Sequence, residues 1–164
     1  MAKPFLIAVF ALGFLSGCGT ADENDFALSL YLKSEENSED SHSQMETLDI
    51  HGTKVTYTSV YEGYSSDGDF DLSLEQVESL KLFLKEQGLD QNLEEKRSMT
   101  ELGTAVELKV DLEIAGEKTS IQLEGMSAIY GDGTGESNLE NVATASAAQD
   151  LISIVKDLGG LYED

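Results

Sequence analysis

Val106, Leu108, Val110, Leu112 and Ile114 place five apolar side chains at every second position of one unbroken run, with Glu107, Lys109, Asp111 and Glu113 between them. Successive residues of a strand point to opposite faces, so this run buries one side of a sheet and wets the other. Such a strand belongs in an antiparallel sheet with one solvated face, not in a parallel sheet covered on both sides. Ala115-Gly116-Glu117-Lys118 turns the chain, and Ile121 and Leu123 bring a partner strand back.

An earlier stretch follows the same plan. Leu48-Asp49-Ile50, a two-residue turn at His51-Gly52, and Thr53 to Tyr57 predict a hairpin in which Gly52 supplies the positive φ. Its second strand continues through Val60 and Tyr61 towards Tyr64. Ser65-Ser66-Asp67-Gly68 reads as a turn, after which Phe70, Leu72 and Leu74 alternate. Ser73 with Gln76 forms a capping box, and the helix it opens carries Val77, Leu80, Phe83 and Leu84 before ending at Gly88. After the loop Gly131-Asp132-Gly133-Thr134-Gly135, a last helix lies within Ser137 to Leu158, with Leu151, Ile154, Val155 and Leu158 as its stripe. Ser137/Glu140 and Ser146/Gln149 both fit its start, and Gly159-Gly160 ends it.

Strands, helix, strands, helix predict an α+β fold: an antiparallel sheet built from two hairpins, with two helices packed on one face. The repeated order also admits an ancestral hairpin–helix duplication. Residues 47–164 form a single domain on this reading, an ordinary size for one core.

The amino terminus carries an address. Met1-Ala2-Lys3 is a short positive start, and Phe5 to Leu15 is apolar and too short for a span, which needs roughly 20 residues. Residues 1–17 therefore read as a signal peptide. Leu15-Ser16-Gly17-Cys18 resembles a bacterial lipobox, in which the cysteine is diacylated, freed by cleavage and then usually acylated again on its new amine. That resemblance to bacterial lipoprotein precursors implies lipid attachment at Cys18 and a place in the cell envelope. Gly19, where an Asp would hold an enteric-type lipoprotein at the inner membrane, points to the outer membrane. The remainder looks only loosely like small lipoprotein domains of unassigned function, which implies no activity. Cys18 is the only cysteine, so no internal disulfide forms. Two or three acyl chains, at roughly 0.8 kcal/mol per buried CH₂, hold far better than one.

Residues 18–46 read as a lipidated acidic tether, with a candidate strand at 26–32 where Leu28, Leu30 and Leu32 share a side. Lys33 to Glu46 has hardly an apolar residue and reads as a loop that cannot offset its ordering entropy by burial.

Charge bounds the partners. Ten Lys and Arg face 32 Asp and Glu, a formal −22, and loss of Lys3 with the leader makes it −23. Nucleic-acid binding needs a basic face that releases phosphate counterions, so it is excluded. An anionic bilayer repels the domain within a Debye length of about 8 Å, leaving the lipid as its attachment. Solubility at high local density accounts for the excess of acid.

Catalytic constellations are absent from the sequence. The only histidines are His42, in the acidic stretch, and His51, in a predicted turn, and neither has an orienting partner evident from the sequence. There is no second cysteine for zinc or thiol chemistry, no Gly-x-Ser-x-Gly elbow, and no P-loop or dinucleotide fingerprint. Carboxylates are too common to single out a pair, and the chain has no Trp to stack a sugar, which leaves a carboxylate-based hydrolase as a distant alternative. One run resembles a calcium loop: in Asp67 to Glu78, Asp67, Asp69 and Asp71 fall at positions one, three and five, with Leu74 at eight, Glu75 at nine and Glu78 at twelve. Leu72 stands where the loop needs Gly, at about 1–2 kcal/mol for left-handed φ. Strand, turn and cap account for the same residues. Asp132, Thr134 and Glu136 form a weaker pattern still. Tyr57 and Tyr61 share a strand face and Tyr64 points the other way, so the pair is either core or a recognition stripe.

These expectations converge on a non-enzymatic, membrane-anchored lipoprotein of the bacterial envelope, a binding or structural module with an envelope protein as partner and no cofactor. Calcium binding at Asp67–Glu78 is the alternative.

Overall fold

The computed structural model describes residues 25–36, 42–97, 104–126 and 138–161. Along the chain these form β1 (Phe26–Glu36), β2 (Ser43–His51), β3 (Lys54–Tyr61), β4 (Tyr64–Asp71), α1 (Leu74–Glu86), β5 (Leu93–Lys96), β6 (Thr104–Ile114), β7 (Glu117–Met126) and α2 (Val142–Gly159). All seven strands join one sheet in the order β4-β3-β2-β1-β6-β7-β5, antiparallel except for β5 beside β7. The fold is α+β with a mostly antiparallel sheet and two helices, but the sheet is not a pair of hairpins.

β1 is the main correction. It lies at the centre, with Leu30 opposite Leu48 of β2 on one side and Val110 of β6 on the other. Two flanking ladders pair its backbone, so the polar run Lys33-Ser34-Glu35 stays in the strand, opposite Met45-Gln44-Ser43 and Glu107-Val106-Ala105. The candidate strand at 26–32 is present and runs four residues further, and residues 43–46 lie in β2 where a loop was expected.

The core follows the period-two pattern. Leu28, Leu30, Leu32, Leu48, Ile50, Val55, Tyr57, Val106, Leu108, Val110, Leu112, Ile121 and Leu123 are all buried from one face. Val77, Leu80 and Leu84 of α1 and Ala148, Leu151, Ile152 and Val155 of α2 join the same cluster. The other face is polar and laced with ion pairs such as Lys109–Glu107 at 2.7 Å and Lys118–Glu113 at 3.2 Å.

Local chemistry sets the element ends. The capping box at Ser73 and Gln76 is present, with Gln76 N–H donating to Ser73 Oγ at 3.2 Å and Ser73 N–H donating to Gln76 Oε1 at 2.7 Å. Leu74 is the first helical residue and is exposed, so it does not extend the Phe70, Leu72 alternation inward. The turn between β3 and β4 falls at Glu62-Gly63, with φ of 49° and 83°, and not at Ser65–Gly68, which lies within β4. Two consecutive residues with positive φ match the right-handed twist of the flanking strands. The β2–β3 turn is at Gly52-Thr53, one residue later than expected. α2 begins at Val142 behind Asn141, which makes no side-chain cap, so neither capping box starts it: Ser146 lies inside the helix and Ser137 outside the described residues. Gly160 ends it with φ of 64°.

Candidate functional site

A concavity of about 760 Å³ lies on the helix side of the sheet at the β3–β4 hairpin end. Strands supply one wall through Gln44, Tyr61, Tyr64 and Ser66, and the end of α2 supplies the other through Lys156 and Asp157, with Leu161 just beyond it. Tyr61 and Tyr64 face each other across the turn, 48% and 80% exposed, while Tyr57, four pairs further in on the same face, is 2% exposed. The sequence placed Tyr64 on the opposite face because it put the turn too late; a turn at Glu62-Gly63 sets Tyr64 beside Tyr61. His42 stacks on Tyr61 with ring centroids 6.3 Å apart and planes 12° apart, and its Nδ1 pairs with the Glu62 carboxylate.

Behind the groove sits a buried charge. Glu46 points inward from β2 at 6% exposure, and Tyr57 Oη donates to its Oε1 at 2.7 Å. Lys156 Nζ lies 3.8 Å from that same oxygen and 5.3 Å from the centre of the Tyr57 ring. A carboxylate taken out of water needs such partners. Lys156 is thereby committed to Glu46, and the groove offers ring faces, hydroxyls and an amide to whatever enters it.

A second polar cluster is structural. Glu95 on β5, 7% exposed, accepts from the Glu140 and Asn141 backbone N–H groups at 2.7 and 3.0 Å, from Asn141 Nδ2 at 2.8 Å, and from Arg97 Nε at 2.9 Å. Arg97 also pairs with Glu140. Burial pushes the Glu95 pKa up, but the hydrogen bonds from Glu140, Arg97 and Asn141 outweigh it and hold the carboxyl at about 2. The same partners raise the pKa of Arg97. This carboxylate ties β5 to the entry of α2, where free N–H groups favour negative charge.

The other residues singled out by sequence fall as follows. Asp67, Asp69 and Asp71 occupy alternate positions of β4, so their carboxylates line a strand about 6–7 Å apart instead of wrapping an ion. Glu75 and Glu78 stand on α1, and among the described residues no three His, Cys, Asp or Glu side chains converge as a metal site. His51 ends β2, exposed. Cys18, the leader, and Asp132, Thr134 and Glu136 lie outside the described residues. Within the described residues no helix is long and apolar enough to cross a membrane. Nothing in the sequence marked Glu46, Glu95 or Lys156, since inward-facing carboxylates look like any others in a chain with 32 acids.

No protein-family model matches this chain, and no curated protein matches it in sequence.

Proposed function

We propose that this protein is a non-enzymatic lipoprotein of the bacterial cell envelope, lipidated at Cys18, that binds an envelope protein through the hairpin end of its sheet. The exposed Tyr61–Tyr64 pair carries the binding part of this reading. Tyrosines are enriched among residues that dominate association energy, and solvent leaves few large rings uncovered without a use. The Leu15-Ser16-Gly17-Cys18 run supports the anchor, and Gly19 supports the outer membrane. The acidic surface suits a module displayed at high density.

Two measurements test the two halves. Mass spectrometry of the exported protein is expected to find acyl chains on Cys18, and Cys18→Ala is expected to release a folded protein from membranes. Retention of that variant in a high-salt pellet would refute the anchor. For binding, Tyr61→Ala with Tyr64→Ala is expected to abolish capture of the envelope partner by the solubilised lipoprotein while leaving its melting temperature within a few degrees. Unchanged capture would refute the site.

A further inference from the structure

β4 closes one side of the sheet, and among the described residues β3 is its sole partner. The phase of its outer edge can be read from one bond: Leu72 N–H donates to Thr53 C=O at 2.7 Å, continuing the β3–β4 register. In an antiparallel pair, residues exchanging hydrogen bonds alternate with residues whose backbone groups point away. Leu72, Phe70, Gly68, Ser66 and Tyr64 therefore turn theirs to β3. Ser65, Asp67, Asp69 and Asp71 turn theirs outward.

The three aspartates do two things at once. Among the described residues each offers an unpaired N–H and C=O along the edge, and each places its carboxylate on the open face, opposite Thr58, Thr56 and Lys54 of β3. On the helix side, the edge shows Tyr64, Phe70 and, beneath Gly68, Leu161: a Cβ on Gly68 would lie 2.7 Å from Leu161 Cδ2. We infer that this edge receives an extended segment of a partner protein carrying Lys or Arg at alternating positions and apolar residues between them. This inference rests on the reading of the protein as a binding module and is independent of its lipid.

Strand addition accounts for the pattern. Residues of the incoming strand that exchange hydrogen bonds with Asp67, Asp69 and Asp71 sit directly opposite them, about 5.5 Å away at Cα, with side chains on the same face. A cation at each such position meets a carboxylate. The intervening side chains meet Tyr64, Phe70 and Leu161. Neither this chain nor a second copy fits the description. Its ten Lys and Arg occupy no three alternating positions. Two β4 edges laid antiparallel about Asp69 set Asp69 against Asp69 and Asp67 against Asp71, and like charges directly opposite are destabilising.

The test uses the exported, detergent-solubilised lipoprotein and a labelled peptide, Lys-Val-Lys-Val-Lys-Val-Lys, in a fluorescence anisotropy titration at low salt. Three controls accompany it: a peptide of the same composition with the lysines contiguous, the parent peptide N-methylated at the lysine amides, and the protein variant Asp67→Asn, Asp69→Asn, Asp71→Asn. The parent is expected to bind, with the triple variant weakening it about tenfold and both altered peptides binding at least tenfold less. N-methylation keeps every charge and removes only the ladder donors. Equal affinity of the N-methylated peptide would reduce the effect to simple charge attraction and overturn the inference, as would failure of the parent to bind. Lipid on Cys18 is read separately by mass spectrometry, and capture through Tyr61 and Tyr64 by its own assay, so failure of this inference is distinguishable from failure of either half of that reading.

Discussion

Replacing Glu95 by Gln removes one charge and almost no volume from a carboxylate that four donors share. The remaining carbonyl oxygen serves one pair of donors, and the new NH₂ group faces the other pair. The magnitude follows from the native pKa of about 2 against an ordinary 4.5: about 2.5 pH steps at roughly 1.4 kcal/mol each, about 3.5 kcal/mol, which solvent screening at the sheet edge brings to about 3 kcal/mol at neutral pH. The sign is set by the direction of the displacement. Because the folded value lies below the unfolded one, the stabilisation is complete above about pH 5 and is lost as pH falls through 4.5 towards 2. Urea denaturation of wild type and Glu95→Gln, run side by side from pH 7 to pH 2, isolates this group, since the other acids titrate in both proteins. The stability gap is expected to shrink from about 3 kcal/mol at pH 7 to under 1 kcal/mol near pH 2. A gap below 1 kcal/mol at pH 7, or one that stays level across the range, would refute the assignment of Glu95 as the charged tie between β5 and α2.

Three further substitutions probe other parts of the fold. Leu30→Ala, at 1% exposure between Leu48 and Val110, is expected to cost about 2–5 kcal/mol in urea denaturation; under 1 kcal/mol would argue against β1 as the central strand. Gly159→Ala, a change that often stabilises a helix, is expected to lower the melting temperature, because its Cβ would lie 2.6 Å from Phe70 Cζ and 2.7 Å from Cδ1. Tyr57→Phe, which takes the hydroxyl from Glu46, is expected to destabilise by about 1–3 kcal/mol by chemical denaturation, and a neutral outcome would mean that Lys156 alone satisfies that carboxylate.

Sequence carried the parts of this fold whose information is local. β6 and β7 were legible from strict alternation, and α1 from Ser73, Gln76 and a stripe of four apolar residues. β1 was legible only as far as Leu32, because its last residues are held by neighbours on both sides and not by their own hydrophobicity. β5 left no trace: four residues, one inward carboxylate, and a parallel partner more than twenty positions away. The β3–β4 turn was misplaced because Ser-Ser-Asp-Gly has stronger turn composition than Tyr-Glu-Gly-Tyr, and only the structure shows Glu62 at φ 49°. That single slip hid the candidate site, since it separated Tyr64 from Tyr61 and broke the edge that carries Asp67, Asp69 and Asp71. Lys156 reaches Glu46 across the molecule, a contact with no signature in either segment.

The central position of β1 has a mechanical consequence. A load that reaches the sheet from its amino-terminal side enters at the start of β1. A pull applied at Phe26 runs along a strand clamped by two ladders, so both must slide together before the sheet yields. A load applied to β4 at the rim would instead peel a single ladder. The sheet is thus toughest along its central strand and most compliant along β4.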